Sequence, residues 1–516
     1  QVLGVEGIGV RDNYFDLGGD SITAVQIIAR AHRHGLPITM NQLADELTIE
    51  NLAAAAADGV TPGADRLVGP VDLTPIQKWF FEEVEEPEHF HHVVRVRSSD
   101  SADPARMASA FATLSDHHDA LRQSFRETSD GWVSSVVDTA TAVPIQIVES
   151  SDSPNRDELM APFELGTAPL MRASLQYLDD GSSEVTLVAH HLIVDGVSWS
   201  HFIDDLGYLI SSDAGNTAVL PSVTSSIGDW TDLLRASVAA IEVEPWLAVA
   251  STEAGAWMGS ATTTGVEGVE GVEQVDPLTT AKLLTRAADL GMGLDEMLIA
   301  AIATEVHKTV STSHVRLFLE GHGRESDRSD VDVTRTMGWF TSLYPVAIHP
   351  PDEPDAVNAI HAMRDQIRQA SEAGADYGIV RYLHPDPGVR ASTTLTYRDH
   401  LVINYLGRLA ANTPIDDPAL SLAGPIELDR PQGRNRIFGG EITAYINDEA
   451  LSVEWITGES SAELLRTVVR AAIESMASLA TDQAGSTNAF PLADLDEGAM
   501  GKLAAVLGSA DGEVQT

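Results

Sequence analysis

Two histidines stand side by side where an apolar run ends, in VTLVAHHLIVDGVSW (Val185–Trp199), and Asp195-Gly196 begins four residues beyond the second of them. Neighbouring side chains on a strand point to opposite faces, so one of His190 and His191 can face a cleft while the other packs or hydrogen-bonds inside. Imidazole titrates near neutrality and suits proton transfer, although a single histidine in an apolar setting is more often structural. Zinc would want further ligands at suitable spacing, and neither Asp195 nor its surroundings supply them, so no metal is expected. Glu320 is a second candidate, ending the alternating apolar run VRLFLEGHGRE (Val315–Glu325). A carboxylate at the mouth of an apolar strand is partly desolvated, which raises its pKa towards neutrality. The plainer alternative is a strand-end glutamate paired with a cation such as Arg324. Ser21 is a third, following Gly18-Gly19-Asp20 in DNYFDLGGDSI and opening an apolar helix. A serine there is exposed, and the helix dipole favours a phosphate on its oxygen; from spacing alone, however, the reading of Ser21 or Asp20 as a simple N-cap is the stronger.

The elements that must hold these groups fall into blocks. Apolar residues recur at helical spacing up to about Gly59, through Ile22, Val25, Ile27 and Ile28 and later Leu43, Leu47, Leu52 and Ala56, which predicts a small α-helical bundle over residues 1–60. The run DGVTPGADRLVGP collects Gly, Pro and Asp without periodicity, so residues 61–70 are expected to be a linker. Beyond it, short β-rich runs such as His92–Val96, Val143–Val148 and Glu184–Ala189 alternate with helical stretches such as Pro104–His117, the pattern of an α/β protein. That length exceeds one typical domain and predicts two lobes, residues 71–240 and 241–490. Near the second boundary, GVEGVEGVE (Gly265–Glu273) reads as an exposed acidic loop leading into a strand. Residues 491–516 are expected to be a loosely held extension or linker. The chain opens on what reads as an apolar helix end, Gln1–Val5, and is expected to be an excerpt of a longer polypeptide.

With 516 residues, roughly three domains are the prior. A formal charge of -45 repels phosphate backbones and anionic lipid surfaces, so neither nucleic acid nor membrane is an expected partner. The absence of cysteine excludes disulfides, thiolate zinc sites and a cysteine nucleophile. No apolar run is long enough to span a bilayer and no secretory leader opens the chain, so a cytoplasmic location is expected.

The segment DNYFDLGGDSI resembles the phosphopantetheine attachment motif of peptidyl carrier domains in nonribosomal peptide synthetases. That resemblance implies a 4'-phosphopantetheine arm on Ser21, whose thiol would hold an aminoacyl or peptidyl group as a thioester. Carriers that precede an epimerization domain commonly read GGDS, as here with Asp20. The pattern HHxxxDGxSW resembles the signature of the condensation superfamily of the same synthetases, which implies that His191 is the acid/base residue and that His190 and Asp195 support its loop. EGHGRE, followed by RTMGWFTSLYPV (Arg335–Val346), resembles the epimerization branch, in which the glutamate corresponding to Glu320 partners the motif histidine. GADYGIVRYL (Gly374–Leu383), INYLGRL (Ile403–Leu409) and LTPIQKWFF (Leu73–Phe81) are similar to further motifs of these domains, in the expected order.

The resemblance covers nearly the whole chain and implies a carrier bundle followed by a two-lobed α/β domain of the chloramphenicol-acetyltransferase-like kind. The activity it implies is epimerization of a carrier-bound residue from L to D. A proton leaves one face of Cα and returns to the other, and the thioester delocalises the carbanion into an enolate. Implied partners are an upstream adenylation domain, a downstream condensation domain and a phosphopantetheinyl transferase. Tyr344 is expected as a polar contact near the enolate and Trp199 as a structural residue. The alternatives are a condensation domain forming a peptide bond and a catalytically silent carrier-docking domain. Two positions depart from the family pattern: Ser371 stands where a proline is usual, and Asp376 replaces the second glycine of GxGYG. A further pair, His91-His92, lies on an ordinary-looking strand, HVVRVR, and is read as structural.

Overall fold

A computed structural model describes residues 63–481, apart from 99–100, 140–141, 150–152, 212–219, 254–257, 259–267, 325–330, 352–355, 409–419, 425 and 430–435, together with scattered positions between 7 and 55. The strands, in chain order, are β1 (Gly69–Val71), β2 (His91–Ser98), β3 (Gln123–Thr128), β4 (Gly131–Val136), β5 (Ile145–Val148), β6 (Met171–Tyr177), β7 (Ser183–His190), β8 (Val269–Val275), β9 (Val315–Gly321), β10 (Ser342–Ile348), β11 (Leu401–Arg408), β12 (Ser421–Leu422), β13 (Glu427–Asp429), β14 (Gly440–Asn447) and β15 (Ala450–Thr457).

Each lobe is built on one large sheet. In the first the order is β12-β2-β7-β6-β5, with β13 also on β2; in the second it is β10-β9-β11-β14-β15-β8. A separate small sheet has the order β1-β4-β3. The second sheet is mixed: β9 runs parallel to β11 and antiparallel to β10. Helices Pro277–Asp289, Leu294–Val310 and Glu459–Thr481 pack together against it. The chain does not divide cleanly near residue 240, because β12 and β13, from the C-terminal half, pair antiparallel with β2 of the first lobe. Arg95 on β2 reaches Glu427 on β13 at 2.5 Å.

The expected linker is already fastened to the large domain. Ala64 N–H donates to the Val223 carbonyl, Arg66 reaches Asp116 and Asp138, and Gly69 begins β1. The acidic triplet repeat leads into a strand as expected, but the strand starts within the repeat itself: Val269–Val275 is an edge strand paired with β15. Gly271 there lies against the Trp455 indole, whose ring would stand 2.3 Å from an added Cβ. Exposed Glu270 on this strand keeps the edge charged, which discourages pairing with another chain.

Near the N-terminus, helix Ile49–Ala55 and a small cluster of Tyr14, Ala24, Ile28, Ile38, Leu43 and Leu52 are described. The proposed bundle as a whole, Ser21 and the tail 491–516 lie outside the described residues. Among the described residues no helix is long and apolar enough to cross a membrane.

Candidate active site

β7 ends on His190 and the next turn starts at His191, and the two rings diverge, His190 towards His91 and His191 towards His92. His190 is fully buried; its Nδ1 accepts from Leu192 N–H at 3.1 Å and its Nε2 donates to the Pro87 carbonyl at 2.5 Å. Burial lowers its pKa to about 3, so the ring is neutral and both nitrogens serve the loop. His191 is only half-buried and begins the short turn His191–Ile193. Its ring stacks on Trp339 with centroids 4.1 Å apart, lies 5.5 Å from Phe90, and meets His92 at 3.9 Å with a 43° tilt.

The turn is held from below by helix Pro75–Glu83. Thr74 caps this helix in a reciprocal box with Gln77, and Pro75 pre-sets its first turn. Gln77 Nε2 then donates to the Leu192 carbonyl at 3.0 Å, and Thr74 Oγ1 to the Trp339 carbonyl at 3.2 Å. One short motif thus ties the histidine turn to the segment that carries Trp339.

Asp195, buried, fastens the turn to the second lobe's strand. Arg324 donates to its Oδ2 at 2.6 Å and its Oδ1 at 3.0 Å, Phe340 N–H to Oδ2 at 3.1 Å, and Ser198 N–H to Oδ1 at 2.8 Å. Burial alone would raise the Asp195 carboxyl, but Arg324 and the bonds from Arg324 and Ser198 hold it below the ordinary carboxylate value. Arg324, the cation that could have paired with Glu320, is therefore committed to Asp195. A second ion pair lies on the helix Gly196–Ser211 that follows Asp195: Arg335 donates to both Asp205 oxygens, at 2.9 and 3.0 Å, and His118 Nε2 lies 3.0 Å from Oδ2. His117, His118 and Asp205 are close enough to be weighed as a metal cluster, yet a guanidinium already caps the carboxylate.

Glu320 lies near the end of β9, half-buried, and its Oε2 accepts from Asn404 Nδ2 on β11 at 2.7 Å. Phe318, two residues earlier and so on the same face, packs against Tyr397 and Phe438. Trp79 of the first lobe's helix Pro75–Glu83 packs on those same two rings and on Trp339. Glu320 therefore sits on the face turned towards the first lobe, and the aromatic chain Trp339–Trp79–Phe438–Phe318 runs from the His191 side to the Glu320 side.

Tyr344 is not brought to this face. Leu343 pairs with Glu320 and Tyr344 with Leu319, so the Tyr344 side chain leaves the opposite side of the sheet. It is buried there, its hydroxyl donates to Ser371 Oγ at 3.1 Å, and Gly374 packs so closely that an added Cβ would stand 2.5 Å from its ring. The expectation that Tyr344 contacts an enolate is corrected by this register. The serine that replaces the family proline thus accepts a bond from Tyr344, and Asp376 stands in the first turn of helix Gly374–Leu383, where a negative charge suits the dipole. Gly378 of the same helix rests on Pro75, 2.8 Å from where its Cβ would be.

Three residues at the site were not singled out as functional by sequence reasoning: Asn404, Trp339 and His92. Asn404 had a signal, a polar side chain inside the apolar strand LVINYL. For the prosthetic arm, Ser21 lies outside the described residues. Thr23, two positions on, is buried with Oγ1 2.6 Å from the Tyr14 hydroxyl.

The two sheets, the histidine turn tied to a glutamate-bearing strand and the carrier-like segment together define a two-lobed, chloramphenicol-acetyltransferase-like α/β enzyme domain joined to a phosphopantetheine carrier. Residues 69–455 match the Condensation domain family, and residues 1–56 match the Phosphopantetheine attachment site family. The chain belongs to the Condensation domain family of nonribosomal peptide synthetases, and its attachment segment carries 4'-phosphopantetheine on a serine. Similar proteins include chondramide synthase cmdD of Chondromyces crocatus, 32% identical over 88% of this chain, and tyrocidine synthase 2 of Brevibacillus parabrevis, 29% identical over 88%. The chain spans only 12% and 13% of those two proteins. Among solved structures, the epimerization domain from the third module of tyrocidine synthetase B is similar in fold, with a TM-score of 0.71 and 24% identity over 81% of this chain and 98% of that one. The condensation domain of the Monacolin K polyketide synthase MokA has a TM-score of 0.62 and 14% identity, over 81% and 97% of the respective chains.

Proposed function

We propose that this chain, a helical carrier followed by an epimerase domain, inverts the Cα configuration of an aminoacyl or peptidyl group held on the arm of Ser21. The observation that carries this reading is the placement of Glu320. It lies on the sheet face turned to the first lobe, is oriented by Asn404, and is tethered through Arg324 and Asp195 to the turn bearing His191. Inversion needs proton donors and acceptors on both faces of one carbon, and His191 from one lobe with Glu320 from the other supplies them. The arm, when attached, supplies reach and a thioester that acidifies Cα. His191 then holds or releases a proton at its imidazole on one face, Glu320 does so at its carboxylate on the other, and the surrounding Trp79, Trp339 and Phe438 keep water from the site. An adenylation domain upstream and a condensation domain downstream are the partners such a unit requires, with a phosphopantetheinyl transferase to install the arm.

The test begins with coenzyme A, a phosphopantetheinyl transferase and intact-mass analysis, in which the parent gains one arm and Ser21→Ala none. The loaded protein is then given an L or a D aminoacyl thioester in deuterated water, and the released acid is analysed for chirality and label. The parent yields both isomers, labelled, from either start. His191→Ala and Glu320→Gln each lose inversion by about 100-fold or more, the scale of positioned acid–base catalysis. Normal inversion in Glu320→Gln overturns the two-group reading, and peptide-bond formation with an added acceptor carrier favours condensation.

A further inference from the structure

His92 is buried on β2, opposite Ala189 and one residue from the pair His91↔His190, and its ring comes within 3.9 Å of the His191 ring. Trp199 is a further neighbour, and its indole N–H donates to His92 Nδ1 at 3.1 Å. An indole nitrogen can only donate, so His92 Nδ1 must be an unprotonated acceptor. Protonating His92 there would set one N–H against another in a buried site, and the fully buried Trp199 leaves little room to turn away. Two imidazoles in contact ordinarily titrate as a pair, with a proton shared between them. Here the tryptophan removes one from the competition.

We propose that His92 is a positioning residue for His191: a neutral imidazole, locked in its Nε2–H form by Trp199, which orients the His191 ring and leaves the exchangeable proton on His191 alone. This rests on the reading of His191 as an acid/base group. The charged and titratable groups around the pair do not substitute for it. On β2 itself His91 lies beside it, its Nε2 facing the Glu88 carbonyl, and Arg95 is taken by Glu427. From β7, His190 is neutral between Pro87 and Leu192. From β13, Leu428 pairs with His92, with Glu427 and Asp429 on either side, and from the turn Asp195 is spent on Arg324.

The test is nitrogen NMR of the full chain labelled with ¹⁵N-histidine, assigned by single histidine substitutions and followed across neutral pH. In the parent, one ring assigned to His92 keeps an unprotonated Nδ1 throughout, while His191 titrates as a single step. His92→Gln retains an acceptor for Trp199 and so preserves the fold, checked by thermal unfolding, but it shifts the His191 midpoint and lowers the first-order rate of Cα exchange on the loaded arm about tenfold at equal loading, as expected for a mispositioned group. Trp199→Phe frees His92, and the two rings then titrate in two coupled steps. A His92 that titrates in the parent, or a His191 midpoint and exchange rate unmoved in a folded His92→Gln, overturns the proposal. Full activity in His191→Ala would instead remove the acid/base reading of His191, while the nitrogen spectra would still report whether His92 is locked.

Discussion

Arg324 forks onto Asp195 with bonds of 2.6 and 3.0 Å, so a residue four positions past Glu320 is locked to one four positions past His191. Both side chains are buried, and Ser198 and the Thr336 carbonyl take the guanidinium's further bonds. The histidine turn and the glutamate strand belong to different lobes, and this pair, with Phe340 N–H on the same carboxylate, is what indexes one to the other.

Removing one member of such a pair leaves an uncompensated buried charge. Arg324→Met is therefore expected to cost about 3–5 kcal/mol in denaturant unfolding, whereas Asp195→Asn combined with Arg324→Met costs less than the sum of the two singles. Additive losses would show that the fork contributes no coupling.

Stability should fall on mild acidification, through histidines rather than carboxylates. Burial lowers both His190 and His201 to about 3, and His201 Nε2 is held at 2.6 Å from the Thr334 carbonyl. The unfolded chain takes up those protons below about pH 6.5 and the folded chain does not, so each group removes roughly 1.4 kcal/mol per pH unit as pH falls from about 6.5 towards its folded value. Asp195 acts later: its folded value is depressed, so its contribution is whole above the unfolded value of about 3.9 and is lost only below it. Urea unfolding of the parent between about pH 7.5 and 4.5 reads the slope, and His201→Gln should flatten it by one proton's worth. A flat parent profile would mean that the buried rings bind protons in the folded state.

Tyr344→Phe separates packing from chemistry. Loss of its bond to Ser371 should cost about 1 kcal/mol while leaving Cα exchange unchanged, because the hydroxyl is on the far face of the sheet from Glu320. Gly374→Ala, which drives a methyl into the Tyr344 ring, should destabilise by about 1–3 kcal/mol. A fall in exchange for Tyr344→Phe at unchanged stability would return the phenol to the reacting carbon.

Local features were legible along the chain. Apolar alternation marked β7 and β9, Thr74-Pro75 with Gln77 marked a helix start, and the spacing HHxxxDG set His190, His191 and Asp195 within one turn, because backbone periodicity and capping act over a few residues. Glu320 was likewise readable as a strand-end residue, as the structure has it. Which face a side chain leaves from, and which distant group meets it, was settled only by packing. Tyr344 and Glu320 part company because Leu343, and not Tyr344, is Glu320's partner, and a one-residue change of register would reverse that. Val269–Val275 became an edge strand because β15 was there to pair with it, and β12 and β13 joined the first lobe because β2 offered an unpaired edge. Arg324 turned to Asp195 rather than Glu320, and His92 met Trp199 as well as His191, the first and second of these contacts closing gaps of 129 and 107 residues that only the packed lobes bridge. Long-range contacts of this kind carry no periodic signature along the chain, since their partners are chosen by burial and by the need to satisfy polar groups withdrawn from water.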